Sequence, residues 1–210
     1  MSSHEISQLS DKISLPLSLE THWCNESSAL AYVEASTAKS APKGAGLWQW
    51  LFEQGSLTQK LKQHCSAFSV KILSKQQRNL SAKELIRFGY NSVDAKPVIV
   101  QVREVLLYCD GKPWVYAQTL MPLEVMPPSV VKLTTLGEKP LGEVIFNEPG
   151  VTRSEIEVAE FSPQSEVAKL AAEVDKVSER SLWGRRSMFT LDGYSLLVAE
   201  VFLPCAGVYQ

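Results

Sequence analysis

The 210-residue sequence has little of what marks the commonest functional classes. Its three histidines (His4, His22, His64) and four cysteines (Cys24, Cys65, Cys109, Cys205) are scattered, with no C-x-x-C pair. Only His22 and Cys24 lie close together. No zinc-ligand set is spelled out, and four separate thiols in a reducing compartment are expected. There is no G-x-G-x-x-G, no Walker A and no G-x-S-x-G, so the common nucleotide and hydrolase signatures are missing. Neither charge sign dominates. Twenty-one basic against 23 acidic residues give a net charge of −2, which argues against nucleic acid or a membrane surface as partner. The longest apolar run, Leu196 to Pro204, is broken by Glu200 and is far too short for a bilayer, so no stable membrane insertion is expected. The leading MSSHEISQLSDKISL is polar and lacks the apolar core of a secretion signal, which predicts a cytoplasmic protein.

What is present is core material: 45% of residues are hydrophobic and 21% charged, in keeping with one globular domain. Residues 1–46 are Ser- and Ala-rich, with a short apolar cluster from Ile13 to Leu19, and Ser36 to Gly46 reads as a linker. Residues 47–52 (LWQWLF) form an apolar helical segment stopped at Gly55, and Ser56 with Gln59 has capping-box spacing for a helix from Leu57 that turns Leu61 inward. From Phe68 the period becomes two: Phe68, Val70 and Ile72 alternate as in a strand. Ser81 and Glu84 form another capping box, closed by Gly89. Pro97–Cys109, Asp110-Gly111 and Trp114–Met121 read as a hairpin, and so do Ser187–Leu191, Asp192-Gly193 and Ser195–Leu203. Tight hairpins with helices outside them predict an α+β fold built on a single antiparallel β-sheet with flanking helices. Val167, Leu170, Ala171, Val174 and Val177 recur at helical spacing, as in a peripheral amphipathic helix over 163–179.

Four places could carry chemistry. Arg103, inside VQVREVLL, needs an anion or solvent; its neighbour Glu104 points to the other face of a strand. It is either a cross-strand or edge charge or a carboxylate-binding group, a task that suits a guanidinium. Glu200, inside LLVAEVFLP, has apolar neighbours on both faces. It is either an acid/base group or one member of a buried ion pair with an arginine. The arginines of 182–187 (LWGRRS) either hold an anion or cap a helix end and pair with acids. Two glycines bracketing Lys139-Pro140-Leu141 suit a tight loop that lays Leu141 against something flat.

Taken in order, WLFEQGSLTQKL, VREVLLYCDGKPWVYAQTLMP, LGEKPLGEVIF, the TR at 152–153, LWGRRSMF and LLVAEVFLP up to Tyr209 resemble the chorismate pyruvate-lyase (chorismate lyase) family. The resemblance runs over about residues 47–209. It implies a lyase that converts chorismate to 4-hydroxybenzoate and pyruvate, the committed step of bacterial ubiquinone biosynthesis, with no metal or organic cofactor. It also implies helical flaps over a buried ligand site. Residues 1–46 match weakly and read as an extension. Residues 47–210 would be the lyase-like domain, with a helical insertion at about 159–180. By the same resemblance Leu57, standing where the family has Met, lies in a flap. Arg103 holds the ring carboxylate, Leu141 lines the binding loop and Glu200 meets the 4-hydroxyl end. Glu200 and Arg103 are thus the expected catalytic residues, and Leu57, Arg103, Leu141 and Glu200 the expected binding residues, in a monomer whose partner is chorismate and not nucleic acid. The competing reading is a non-catalytic aromatic-acid sensor, since ligand-binding domains of some bacterial transcription regulators share this fold.

Overall fold

Residues 99–109 and 112–122 are buried almost without interruption, and that dictates the architecture: both faces of these two strands must be covered. The computed structural model describes residues 15, 17, 22–29, 45–90, 97–124, 126–175 and 180–209. The expected apolar cluster at 13–19 is described only at Leu15 and Leu17, and the linker at 36–46 only from residue 45. Val177 lies outside the described residues.

In chain order the elements are α1 (Ala45–Leu51), α2 (Leu57–His64), β1 (Phe68–Asn79), α3 (Ala82–Arg87), β2 (Ile99–Cys109), β3 (Lys112–Pro122), α4 (Pro128–Val131), α5 (Leu141–Ile145), β4 (Thr152–Arg153), β5 (Glu157–Phe161), α6 (Glu166–Val174), β6 (Leu182–Leu191) and β7 (Tyr194–Phe202). All strand pairs are antiparallel. One seven-stranded sheet runs β1-β2-β3-β7-β6-β4, with β5 also on β6. The expected α+β fold with a single antiparallel sheet is what forms. Both hairpins turn on Asp-Gly. Asp110 (φ 49) with Gly111 (φ 77) and Asp192 (φ 50) with Gly193 (φ 76) take the left-handed conformations that a two-residue I′ turn requires. Both capping serines act as read: the Ser56 hydroxyl accepts from Gln59 N, and Ser81 with Glu84 closes a reciprocal box.

Two expectations are corrected. The C-terminal hairpin begins at Leu182, not Ser187, so Trp183-Gly184-Arg185-Arg186 lies inside β6 and pairs with β5 and β7. Glycine is required at 184, where a Cβ would sit 2.9 Å from the Glu200 carbonyl oxygen. The amphipathic helix forms at 166–174 but is not peripheral. Val167, Ala168, Ala171 and Val174 are buried against Leu106, Tyr116 and Ala199. That face of the sheet is apolar and needs the cover.

The sheet separates four apolar clusters. On its front, α1 and α2 pack over Val105, Leu107, Val115 and Phe202, while α4 and α5 pack over Met121, Phe189 and Leu196. On its back, α6 with Leu15 and Leu17 covers one half, and Val100, Val102, Leu120 and Leu197 form the other, with Leu85 and Phe88 of the α3 segment against them. The front clusters leave a seam between them, and polar residues occupy it.

Candidate active site

The seam is a cavity whose floor follows from strand register. Arg103 on β2 faces Thr119 on β3, which faces Val198 on β7. Two pairs along, Val105 faces Ala117, Ala117 faces Glu200, and Glu200 faces Arg185 on β6. Arg103 and Glu200 therefore share the front face, two strands and two residues apart, a Cα diagonal of about 12 Å. Between them the floor is made of small side chains, Ala117 and Thr119, which leaves room for a flat group. Val70, Leu107, Ile145, Phe146 and Phe189 complete the lining.

Arg103 is 5% exposed and has no carboxylate partner among the described residues. Its Nη2 donates to the carbonyl oxygens of Gly137 (2.9 Å) and Lys139 (3.1 Å), so the expected tight loop serves to brace the guanidinium. Its Nε is buried without a hydrogen bond. Burial holds its pKa below the ordinary value. A buried cation with unfilled donors and no counter-ion is a built anion site.

At the other end Glu200 has an arginine partner. Arg185 Nε donates to Glu200 Oε2 at 2.7 Å, with the two side chains 2% and 16% exposed. Arg185 Nη1 also donates to the carbonyl oxygens of Trp50 (3.2 Å) and Glu53 (2.9 Å), at and just beyond the end of α1. Glu200 is thus a member of a buried ion pair, and Arg185 both braces the end of α1 and pairs with an acid. Arg186 points the other way, to Glu157 at 2.8 Å. Of the two arginines in that motif, Arg185 alone lines the cavity.

The lid comes from two short helices. Leu57 (2% exposed) and Thr58 descend from α2, and Leu141 (8% exposed) from the start of α5. The helices meet at Gly142, where a Cβ would lie 3.0 Å from both Ser56 Oγ and Thr58 Oγ1. All four residues expected from sequence, Leu57, Arg103, Leu141 and Glu200, line the one cavity.

Sequence reasoning missed Arg185 and Arg153 as members of the site. Arg153 reaches the cavity from β4. Its Nε donates to Ser187 Oγ (2.9 Å), and its Nη1 to the carbonyl oxygens of Glu53 (3.2 Å) and Gln54 (3.1 Å). Burial first, and then the neighbouring positive charge of Arg185, push its pKa down to about 10. The signal available was the arginine of the Thr152-Arg153 motif, three residues after the turn at Gly150. Three guanidinium groups against one carboxylate leave the cavity lining two positive charges in excess. Such a lining suits a compact anion. Among the described residues there is no group of three His, Cys, Asp or Glu side chains placed to hold a metal ion, and no helix long and apolar enough to cross a membrane.

Comparison with known proteins adds three findings. The family model described as chorismate lyase matches residues 30–210. A probable chorismate pyruvate-lyase of Pseudoalteromonas translucida is 43% identical over 197 residues, covering 94% of this chain and 99% of its own. Another from Psychromonas ingrahamii is 42% identical over 163 residues, covering 78% and 85%. Among solved structures, the effector domain of PhnF from Mycobacterium smegmatis superposes with a TM-score of 0.50 at 16% identity, covering 71% of this chain and 89% of that one. That last likeness is one of fold.

Proposed function

The chain belongs to the chorismate lyase family, and from that premise we propose that it converts chorismate to 4-hydroxybenzoate and pyruvate. The observation that carries the proposal is the pairing of Arg103, a buried guanidinium without a counter-ion among the described residues, with Glu200 at the far end of an apolar slot. Chorismate is a cyclohexadiene ring with a carboxylate at one end, a hydroxyl at the para position, and a second carboxylate on its enolpyruvyl ether; its aromatic product is flat.

In this reading Arg103 takes the ring carboxylate and fixes the ring over Ala117 and Thr119, under Leu57 and Leu141. Glu200 keeps one oxygen on Arg185 and offers the other to the 4-hydroxyl. The ring–enolpyruvyl C–O bond breaks and the ring carbon bearing the hydroxyl loses its hydrogen. The enolpyruvyl methylene gains one hydrogen as pyruvate leaves. Aromatisation supplies much of the driving force, so orientation and removal from water are the protein's main contributions, and no metal or organic cofactor is invoked.

The finer parts of the proposal are that the enzyme acts as a cytoplasmic monomer without a nucleic-acid partner and feeds ubiquinone biosynthesis. So is the division into an extension at 1–46 and a lyase domain at 47–210 with a helical insertion at about 159–180. The polar leading sequence and the near-neutral charge support the first part, and family membership the pathway. Purified full-length protein mixed with chorismate should generate the ultraviolet spectrum of 4-hydroxybenzoate. Binding of 4-hydroxybenzoate with no turnover of chorismate would instead establish the sensor reading, for which the shared fold is the only support.

A further inference from the structure

Resting on the chorismate reading, we propose that Arg153 is the second carboxylate-binding residue of the site and holds the enolpyruvyl carboxylate. Chorismate carries one carboxylate more than its aromatic product, and Arg103 accounts for the one they share. The cavity lining has one further arginine that forms no ion pair among the described residues. Arg185 is committed to Glu200 at 2.7 Å, whereas Arg153 forms no ion pair among the described residues.

Every hydrogen bond of Arg153 goes to a neutral acceptor: the Ser187 hydroxyl and the backbone carbonyls of Glu53 and Gln54. Its Nη2 makes none among the described residues. The guanidinium also lies over two rings of the cavity wall, 5.2 Å from the centroid of Phe189 and 5.9 Å from that of Phe146. Two carbonyls, a hydroxyl and two rings fix the plane of a group that forms no ion pair among the described residues, the Glu200 and Glu53 carboxylates offsetting its charge only from a distance, which is how a preformed anion site is built. Its depressed pKa has the same origin, since an entering carboxylate would relieve both the burial of the charge and the repulsion from Arg185.

The alternative is that Arg153 is only a brace between β4 and the end of α1. The two roles separate by ligand. An anchor for the departing group matters to chorismate and not to 4-hydroxybenzoate, whereas a brace matters equally to both.

The test compares Arg153→Gln and Arg153→Lys with the unaltered protein, measuring binding of 4-hydroxybenzoate and of 3-(carboxymethoxy)-4-hydroxybenzoate, a stable compound carrying both carboxylates. Chorismate turnover is followed alongside. Arg153→Gln should bind 4-hydroxybenzoate within about threefold of the unaltered protein and the dicarboxylate roughly 30-fold or more weakly. Its kcat/KM for chorismate should fall by at least as much. Arg153→Lys should recover part of the dicarboxylate affinity. Equal weakening of both ligands, or no weakening of either, overturns the proposal. If the glutamine variant does not fold, the lysine variant decides: its loss must be confined to the dicarboxylate. Should the unaltered protein bind both ligands yet leave chorismate intact, the lyase reading falls, while the difference between the two ligands still decides whether Arg153 is a second anion site.

Discussion

Arg103 and Glu104 are one peptide bond apart and serve opposite faces of the sheet. Arg103 faces the cavity, braced by the carbonyls of Gly137 and Lys139. Glu104, 3% exposed, accepts the Leu15 N–H at 2.9 Å, the hydroxyls of Ser74 and Tyr116, and the Gln118 amide at 3.1 Å. Gln118 returns a bond to the Leu15 carbonyl at 2.6 Å. Strand alternation thus places a ligand-binding charge and an anchor for the N-terminal segment back to back.

Replacing these two neighbours should have different consequences. Arg103→Ala leaves a ligand carboxylate without its partner, and 4-hydroxybenzoate affinity should fall by about 2–5 kcal/mol, with activity lost. Glu104→Ala orphans donors on the back face at about 1–3 kcal/mol each, so it should lower stability while the folded protein keeps its product affinity. Calorimetric titration together with denaturant melts checks both. Unchanged product affinity in folded Arg103→Ala removes that residue from the site.

Glu200→Gln keeps the size and accepting capacity of the side chain but removes its charge. The variant should fold and bind 4-hydroxybenzoate within roughly tenfold, while single-turnover decay of chorismate slows by about 10²-fold or more. Chemistry close to that of the unaltered protein would make Glu200 a hydroxyl-orienting residue and nothing more.

Gly184→Ala should destabilise the fold by about 1–3 kcal/mol, the usual range for overpacking. The added Cβ would meet Glu200 O at 2.9 Å, Phe161 Cε2 at 3.0 Å and Val201 Cγ2 at 3.0 Å, and the first of these is backbone that cannot turn aside. The denaturation midpoint should drop at constant m-value. An unmoved midpoint would show that β6 and β7 can separate there without cost.

At alkaline pH, buried phenols should set the limit of stability. Burial first, and then the Glu124 carboxylate that accepts its hydrogen bond, push Tyr90 up to about 12; burial likewise raises Tyr108, Tyr194 and Tyr209. The folded state therefore keeps protons that the unfolded chain releases near pH 10. This contribution is fully present below about pH 10 and is lost as pH rises through the folded pKa of Tyr90, about 12. Tyrosinate absorbance should rise together with loss of secondary structure. A smooth rise near pH 10 in a protein that stays folded would contradict it.

What was legible in the sequence is what depends on near neighbours. Asp-Gly turns and Ser capping boxes act over four residues, and they placed both hairpins and two helices. Even the Arg185–Glu200 pair was within reach. From Leu191 and Tyr194 at the turn, six steps out on each strand arrive at these two residues without a bulge. The β2–β3 hairpin is different: its register shifts between Leu107 and Tyr108, so counting from its turn misplaces Arg103 by one residue. Arg153 was hidden for another reason. Its partners lie 34, 99 and 100 residues away, and no local pattern announces them. The burial of α6 was misjudged because alternation within a strand cannot report that both faces are covered.

The contact of Gly142 with Ser56 and Thr58 ties the two lid helices to each other as well as to whatever lies beneath them. A lid that opened through both helices together would make a ligand's residence time depend on that contact. Loosening that contact, for instance by shortening Thr58 to Ala, would speed both entry and exit. Dissociation rates would then shift even where the equilibrium grip of Arg103 stays the same.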